Sequence, residues 1–172
     1  SLQRRKNPAS ARHESMTMTA PIQVRLATPV DVPEIVAFNQ AMALETEDKV
    51  LADGVVSAGV CRVFTEPALG FYLVAEEAET VIGTLMVTKE WSDWRNGVFW
   101  WIQSVYVTRE CRKRGVYRAM YAFVKTLADK TPEVCGFRLY VEKHNLRAQK
   151  TYQTLGMEET HYQMYEEELS RK

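Results

Sequence analysis

The chain has little from which to build a disulfide framework or a metal centre. Its three cysteines, Cys61, Cys111 and Cys135, are odd in number and include no Cys-x-x-Cys pair. That argues against a disulfide-stapled scaffold and points to a reducing, cytoplasmic setting. The three histidines, His13, His144 and His161, are scattered without metal-ligand spacing, so no metal site is expected. No apolar run approaches the length of about 18 residues that a membrane-spanning helix requires. Charge of one sign is not in excess either: 22 Lys and Arg balance 22 Asp and Glu. A chain that grips nucleic acid through bulk electrostatics needs a basic surplus, so no nucleic-acid partner is expected. Two nucleotide signatures are also missing. There is no Gly-Lys-Ser/Thr of a P-loop and no Gly-x-Gly-x-x-Gly of a dinucleotide fold.

What is there reads as one globular domain. The 172 residues suffice for one proper core, and 46% hydrophobic with 26% charged residues is ordinary for such a domain. Residues 1–20 stand apart, rich in Arg, Ser and Thr with Glu14 as their one acid. They read as a tag remnant, as sequence ahead of a true start at Met16 or Met18, or as a targeting segment. Residues 21–172 are then the single domain.

Within it, residues 23–27 read as a strand. Thr28-Pro-Val-Asp31 is a helix entry, with Asp31 as N-cap and Glu34 three residues on. Ile35, Val36, Phe38, Ala41, Met42 and Leu44 then recur at helical spacing. A second helix is expected over 48–64, strands over 71–76 and 80–88 around a turn at 77–79, and a long aromatic strand over 98–107. A helix from about Val116 stops at Thr131-Pro132. A strand over 137–141, a helix over 146–155 and a last strand over 158–166 complete the order β-α-α-β-β-β-α-β-α-β.

The informative run is Val105-Tyr-Val-Thr-Arg-Glu-Cys-Arg-Lys-Arg-Gly-Val-Tyr117. A strand ends, a basic turn follows, and a helix begins. The first turn of a helix offers unpaired backbone N–H groups and the positive end of the helix dipole, which together suit a pyrophosphate. Gly115 allows a positive φ and close approach of the ligand. Arg112, Lys113, Arg114 and Arg118 add charge.

The spacing Arg112-x-x-Gly115-x-Tyr117 resembles the acyl-CoA-binding motif of the GCN5-related N-acetyltransferase (GNAT) family, Arg/Gln-x-x-Gly-x-Gly/Ala. Asn145-x-x-Ala148-x-x-x-Tyr152-x-x-x-Gly156-Met157 is similar to the Asn…Ala…Tyr…Gly-Phe signature of its C-terminal half. Val24-Arg-Leu-Ala-Thr-Pro-Val-Asp-Val-Pro-Glu-Ile35 resembles its first strand and helix entry. The three pieces occur in order and span residues 22 to 168. One departure stands out: Tyr117 replaces the usual Gly or Ala, so its side chain must turn away from the pyrophosphate.

The resemblance implies an α/β fold with a mixed central sheet, a splayed parallel pair formed by its fourth and fifth strands, and flanking helices. It implies acetyl-CoA as cofactor and direct attack of an amine on the thioester. Arg112, Lys113, Arg114, Gly115, Val116 and Tyr117 would hold the pyrophosphate, Val105 and Val107 would pair through their backbones with the pantetheine arm, and Asn145 would contact the cofactor or cap its helix. The Val105 amide would polarise the thioester carbonyl, and Tyr152 would protonate the departing thiolate. A thiol near pKa 8.5 and a phenol near 10 lie about close enough for efficient transfer. No base stands on the central strand, where Gln103 and Ser104 occur; Glu45, Glu47 and Asp93 are candidates from elsewhere.

For the acceptor, all four tryptophans fall between Trp91 and Trp101. Trp91, Asp93 and Trp94 in a loop, with Glu45 and Gln103, are expected to bind a cationic, partly apolar amine. The leading expectation is an N-acetyltransferase of a small primary amine. A protein or peptide N-acetyltransferase and a non-catalytic acyl-CoA-binding module are the alternatives. The resemblance also leaves a homodimer open.

Overall fold

A computed structural model describes residues 19–170. All but the last two residues of the expected N-terminal tail therefore lie outside the described residues. The elements are β1 (Gln23–Leu26), α1 (Val32–Glu47), α2 (Asp53–Thr65), β2 (Gly70–Glu77), β3 (Thr80–Ser92), β4 (Gly97–Val107), α3 (Val116–Asp129), β5 (Val134–Arg138) and α4 (Leu146–Thr154). The strands form one sheet in the order β1-β2-β3-β4-β5. Neighbours run antiparallel except β4 and β5, which are parallel.

Strand alternation divides the sheet into two faces. One face packs Leu73, Leu85, Val87, Trp100 and Ile102 against Val116, Met120 and Val124 of α3. Those three helical residues recur every fourth position, so one stripe of α3 meets the sheet. The other face packs Tyr72 and Val74 against Ile35 of α1 and Val60 of α2. Each large side chain fully buried in these layers, such as Leu85 or Met120, contributes about 1.5–3 kcal/mol through removal from water. The β2–β3 turn places Ala78 and Glu79 at φ 48° and 63°, the successive left-handed pair that matches strand twist in a tight hairpin.

Several expectations shift. Asp31 does not cap α1 through its side chain. Its buried carboxylate accepts from the Thr28 N–H at 2.8 Å and from Arg25 at 2.8 and 2.9 Å, and Arg25 also reaches Glu76. This cluster ties β1, β2 and the start of α1 together. Helix α2 starts at Asp53, because Asp48 takes a left-handed φ of 50° that ends α1. Strand β5 lies three residues earlier than expected, at Val134–Arg138. The last expected strand, over 158–166, does not form. Strand propensity becomes a strand only against a partner, and glutamates at both ends of this segment oppose burial; its residues lie exposed.

Candidate active site

The site is built around the end of β4. Pairing of β4 with β5 runs from Val98↔Val134 to Trp101↔Arg138 and stops. Strand β4 continues to Val107, so from Ile102 onward its β5-facing edge has no strand partner. Along this stretch the register against β3 slips: Met86 faces Gln103, and Thr84 faces Tyr106, leaving Leu85 opposite two residues. Ser104 takes φ 49°. This is a β-bulge, and one inserted residue reverses the facing of everything after it. Before it, Trp100 and Ile102 face α3; after it, Val105 and Val107 do. Gln103 donates to Thr88 Oγ1 at 2.6 Å, and the ring of Tyr106 packs tilted against Phe38 of α1 at 5.2 Å.

The basic turn follows directly. Lys113 and Gly115 have φ of 63° and 79°, and Arg114 between them does not. Alternating backbone hand of this kind aims successive N–H groups into one concavity. A Cβ added at Gly115 would meet no atom within 4 Å, so the face above the α3 N-terminus is open. Val116 is buried beneath it.

The arginines of the turn do not point into that concavity. Arg112 donates to the Val107 carbonyl at 2.9 Å and to Glu45 of α1 at 2.8 Å. Arg109 donates to Glu45 at 2.9 Å, and Arg114 pairs with Glu77. Arg112 and Arg114, expected to add charge at the turn, are thus each paired with a carboxylate. The same pairs engage Glu45. Hydrogen bonds from Arg112 and then Arg109 hold its carboxyl below the usual carboxylate range, which makes it a weaker base.

Between α3 and α4 lies a layer of tyrosines. Tyr117 stacks parallel to Tyr121 at 6.1 Å and meets Tyr152 edge-on at 5.6 Å. The bulky residue at the Gly/Ala position thus leans towards α4. Burial pushes the phenol of Tyr152 up from its ordinary value, which keeps it protonated. Asn145 is the N-cap of α4, its Oδ1 accepting from Ala148 N–H at 3.1 Å. Gly156, at φ 95°, ends that helix as Met157 N–H returns to Tyr152 O.

Sequence reasoning missed a groove of about 290 Å³ beside this layer, lined by Arg118, Arg147, Lys150, Thr151, Thr154 and Leu155. The signal was present as a row of cations and hydroxyls at helical spacing along α4.

On the opposite face a second groove of about 330 Å³ is lined by Thr88, Lys89, Glu90, Trp101, Gln103, Tyr140 and Met164. Trp101 and Tyr140 stand 6.2 Å apart, and Glu90 accepts from Arg138 at 2.5 Å. The fold brings Gln103 and Trp101 here but not the hairpin tip. Trp91 pairs with Val98, roughly 20 Å along β4 from Val105 at strand rise. Trp91 and Trp94 are 61% and 89% exposed, and Asp93 accepts from the Trp94 N–H. The expected place of Trp91, Asp93 and Trp94 beside the thioester is corrected, because the long β3–β4 ladder carries them away from it.

Among the described residues no helix is long and apolar enough to cross a membrane, and no cluster could hold a metal ion. The model of the acetyltransferase (GNAT) family matches residues 38–157. A possible acetyltransferase from Clostridium difficile 630 is 42% identical, with a TM-score of 0.81 over 87% of this chain and 99% of that one. A predicted acetyltransferase from Clostridium acetobutylicum, solved with acetyl-CoA, is 16% identical, with a TM-score of 0.72 over 86% and 96%. AAC(6')-Iy in complex with the bisubstrate analog CoA-S-monomethyl-acetylneamine is 15% identical, with a TM-score of 0.71 over 88% and 100%. No curated protein matches by sequence.

Proposed function

The chain belongs to the GNAT acetyltransferase family and is an N-acetyltransferase, and we propose that its acceptor is the primary amine of a small molecule. The observation that carries the acyl-CoA half of this reading is the unpaired edge of β4 between the Ser104 bulge and the open N-terminus of α3; the acceptor half rests on the groove at Trp101. Peptide groups on such an edge need partners, and an extended arm with amides of its own supplies them.

The residues present fit acetyl-CoA. The N–H groups of the turn from Lys113 to Tyr117 would hold its pyrophosphate, and Val105 and Val107 its pantetheine arm. Arg118, Arg147 and Lys150 add a cationic groove for further phosphate. When bound, the cofactor supplies an activated acetyl thioester. The Val105 amide, next to the bulge, is the donor we assign to the carbonyl oxygen on which charge develops. Tyr152 Oη holds the proton destined for the leaving sulfur, and its raised pKa keeps that proton in place until the transfer. The groove of Trp101, Gln103, Tyr140 and Met164 takes the acceptor. Its volume lies near the lower end of small-ligand sites, about 300 to 1,000 Å³, and its rings suit an amine. The structural neighbour AAC(6')-Iy is solved with a bisubstrate analog that joins CoA to acetylneamine. Glu45 is held by Arg109 and Arg112, and Glu90 by Arg138, so we assign the amine's proton to solvent.

Two further points belong to this reading. The unpaired cysteines, Cys61, Cys111 and Cys135, suit the cytoplasm. A homodimer would cover the outer edge of β5 and the exposed Tyr162, Met164, Tyr165 and Leu169. Sedimentation at micromolar concentration tests that: a monomer removes it.

Thiol release from acetyl-CoA, measured against polyamines, amino acids, aromatic amines, aminoglycosides and peptide N-termini, tests the function. Turnover with a small amine is expected. Turnover with peptides alone would favour a protein N-acetyltransferase, and binding without any turnover a non-catalytic module.

A further inference from the structure

Tyr117 is a departure that the reaction above leaves unused. It is the second residue of α3, immediately after the glycine turn. Its ring is held by Tyr121 and Tyr152. Its hydroxyl is buried with no hydrogen-bond partner, and among the described residues it is the one buried side-chain polar atom in that position. A phenylalanine would fill the same space without leaving a polar atom unsatisfied, and an orphaned buried hydroxyl is destabilising. Packing therefore accounts for the ring and not for the oxygen.

We propose that the Tyr117 hydroxyl donates a hydrogen bond to an amide oxygen of the pantetheine arm of bound acetyl-CoA and so sets how deeply the thioester sits against Tyr152. This rests on the placement of the cofactor over the α3 N-terminus. Tyr117 packs against the same apolar cluster as Val105 and Val107, so an arm running from that N-terminus to the β4 bulge would run beside it. The arm carries amide carbonyls, which are acceptors, and a phenol is the matching donor. Burial, then the neighbouring phenols of Tyr152 and Tyr121, push the Tyr117 hydroxyl well above its ordinary range. It therefore remains a donor across the working pH range. Tyr117 is on this account a positioning residue, with Tyr152 the proton donor.

The test compares CoA with 3′,5′-ADP, which keeps the 3′-phosphate and the first 5′-phosphate but lacks the second pyrophosphate phosphate and the arm, by calorimetry on the wild-type chain and on Tyr117→Phe. The variant should bind CoA about fivefold to tenfold more weakly, the loss of one neutral hydrogen bond, and bind 3′,5′-ADP unchanged. Without ligand, Tyr117→Phe should melt no lower than wild type, because it removes an unsatisfied group. Equal CoA affinity in the two proteins would overturn the proposal, showing that the hydroxyl makes no bond to the cofactor. Loss of CoA and 3′,5′-ADP in the same proportion would also overturn it, as general damage. Failure of the wild-type chain to bind either ligand would instead remove the cofactor placement, and the proposal with it.

Discussion

The two sides of the end of β4 are made of different material. Towards α3 and α4, the groups that can grip a ligand are mostly main chain: the open edge after Trp101, the bulge at Ser104, and the turn through Gly115. Towards α1 and the C-terminal segment, they are side chains, several exposed: Trp101, Gln103, Tyr140 and Met164. A site made of peptide groups depends on backbone hand and register, and a few residues dictate those. A site made of side chains can be rewritten one residue at a time without disturbing the fold. The difference teaches why a cofactor is readable from this chain and an acceptor is not.

The largest effect expected is on the cofactor side. Tyr152→Phe keeps the ring against Tyr117 and removes the proton. Turnover should fall by about a hundredfold, the lower end of what general acid catalysis contributes, while CoA affinity by calorimetry stays within about twofold. Unchanged turnover would move the acid elsewhere. Gly115→Glu should come next. It puts a Cβ on a backbone at φ 79° and a negative charge where a phosphate is expected. Weakening of CoA binding by about thirtyfold, roughly 2 kcal/mol, follows from repulsion and crowding of the phosphate, while the strain lowers stability with or without ligand. Intact affinity would show that phosphate does not sit at that turn and would erase the contrast between the two sides.

Legibility follows the same line. The order of elements from β1 to α4 was readable because each has its period and its stop, such as the four-residue stripe Val116, Met120, Val124 and the Thr131-Pro132 break. The splay of β4 from β5 came only through the family resemblance. No local pattern announces that pairing ends at Trp101, because it depends on where a distant strand leaves the sheet. The segment 158–166 looked like a strand and found no partner. The pairing of the turn's arginines was not legible, because their acids, Glu45 and Glu77, lie 67 and 37 residues away. The tryptophan-rich hairpin looked like part of the site because it is near β4 in sequence, and the antiparallel ladder carried it out of reach.

On the scaffold of the acceptor side, Asp31→Asn should lower stability at pH 7 by about 1.5–3 kcal/mol, the worth of hydrogen bonds to a charged group. The hydrogen bonds from Arg25 hold the folded carboxyl below its ordinary range, so the unfolded chain binds this proton more readily. The contribution is then fully present above the ordinary carboxylate pKa and is lost as pH falls through the folded value. Urea denaturation of both proteins should therefore show the gap closing in acid below about pH 4. A gap independent of pH would mean that shape, and not charge, ties β1 to α1.

Glu45→Gln sits on the border between the two sides. It releases Arg112 and Arg109 from α1, leaving Arg112 free to turn to the cradle. CoA should bind a fewfold more tightly at low salt, with the gain lost at high salt, as for any exposed charge. A weaker complex would show that the present pose of Arg112 already serves the cofactor.

The smallest effect sharpens the comparison most. Trp94 is 89% exposed at the tip of the β3–β4 hairpin, roughly 20 Å along the strand from the bulge. Trp101 lies in the groove itself. Once an acceptor is known, Trp101→Ala should raise its KM by about tenfold, and Trp94→Ala should leave kcat/KM within about twofold. The pair is informative because both substitutions remove the same ring from the same hairpin, so only position differs. If Trp94→Ala cut kcat/KM as deeply, the acceptor side would extend to the hairpin tip, reached either by a long substrate or by the hairpin of a second copy. Measuring the Trp94→Ala loss at several protein concentrations separates those two, since only the second depends on assembly.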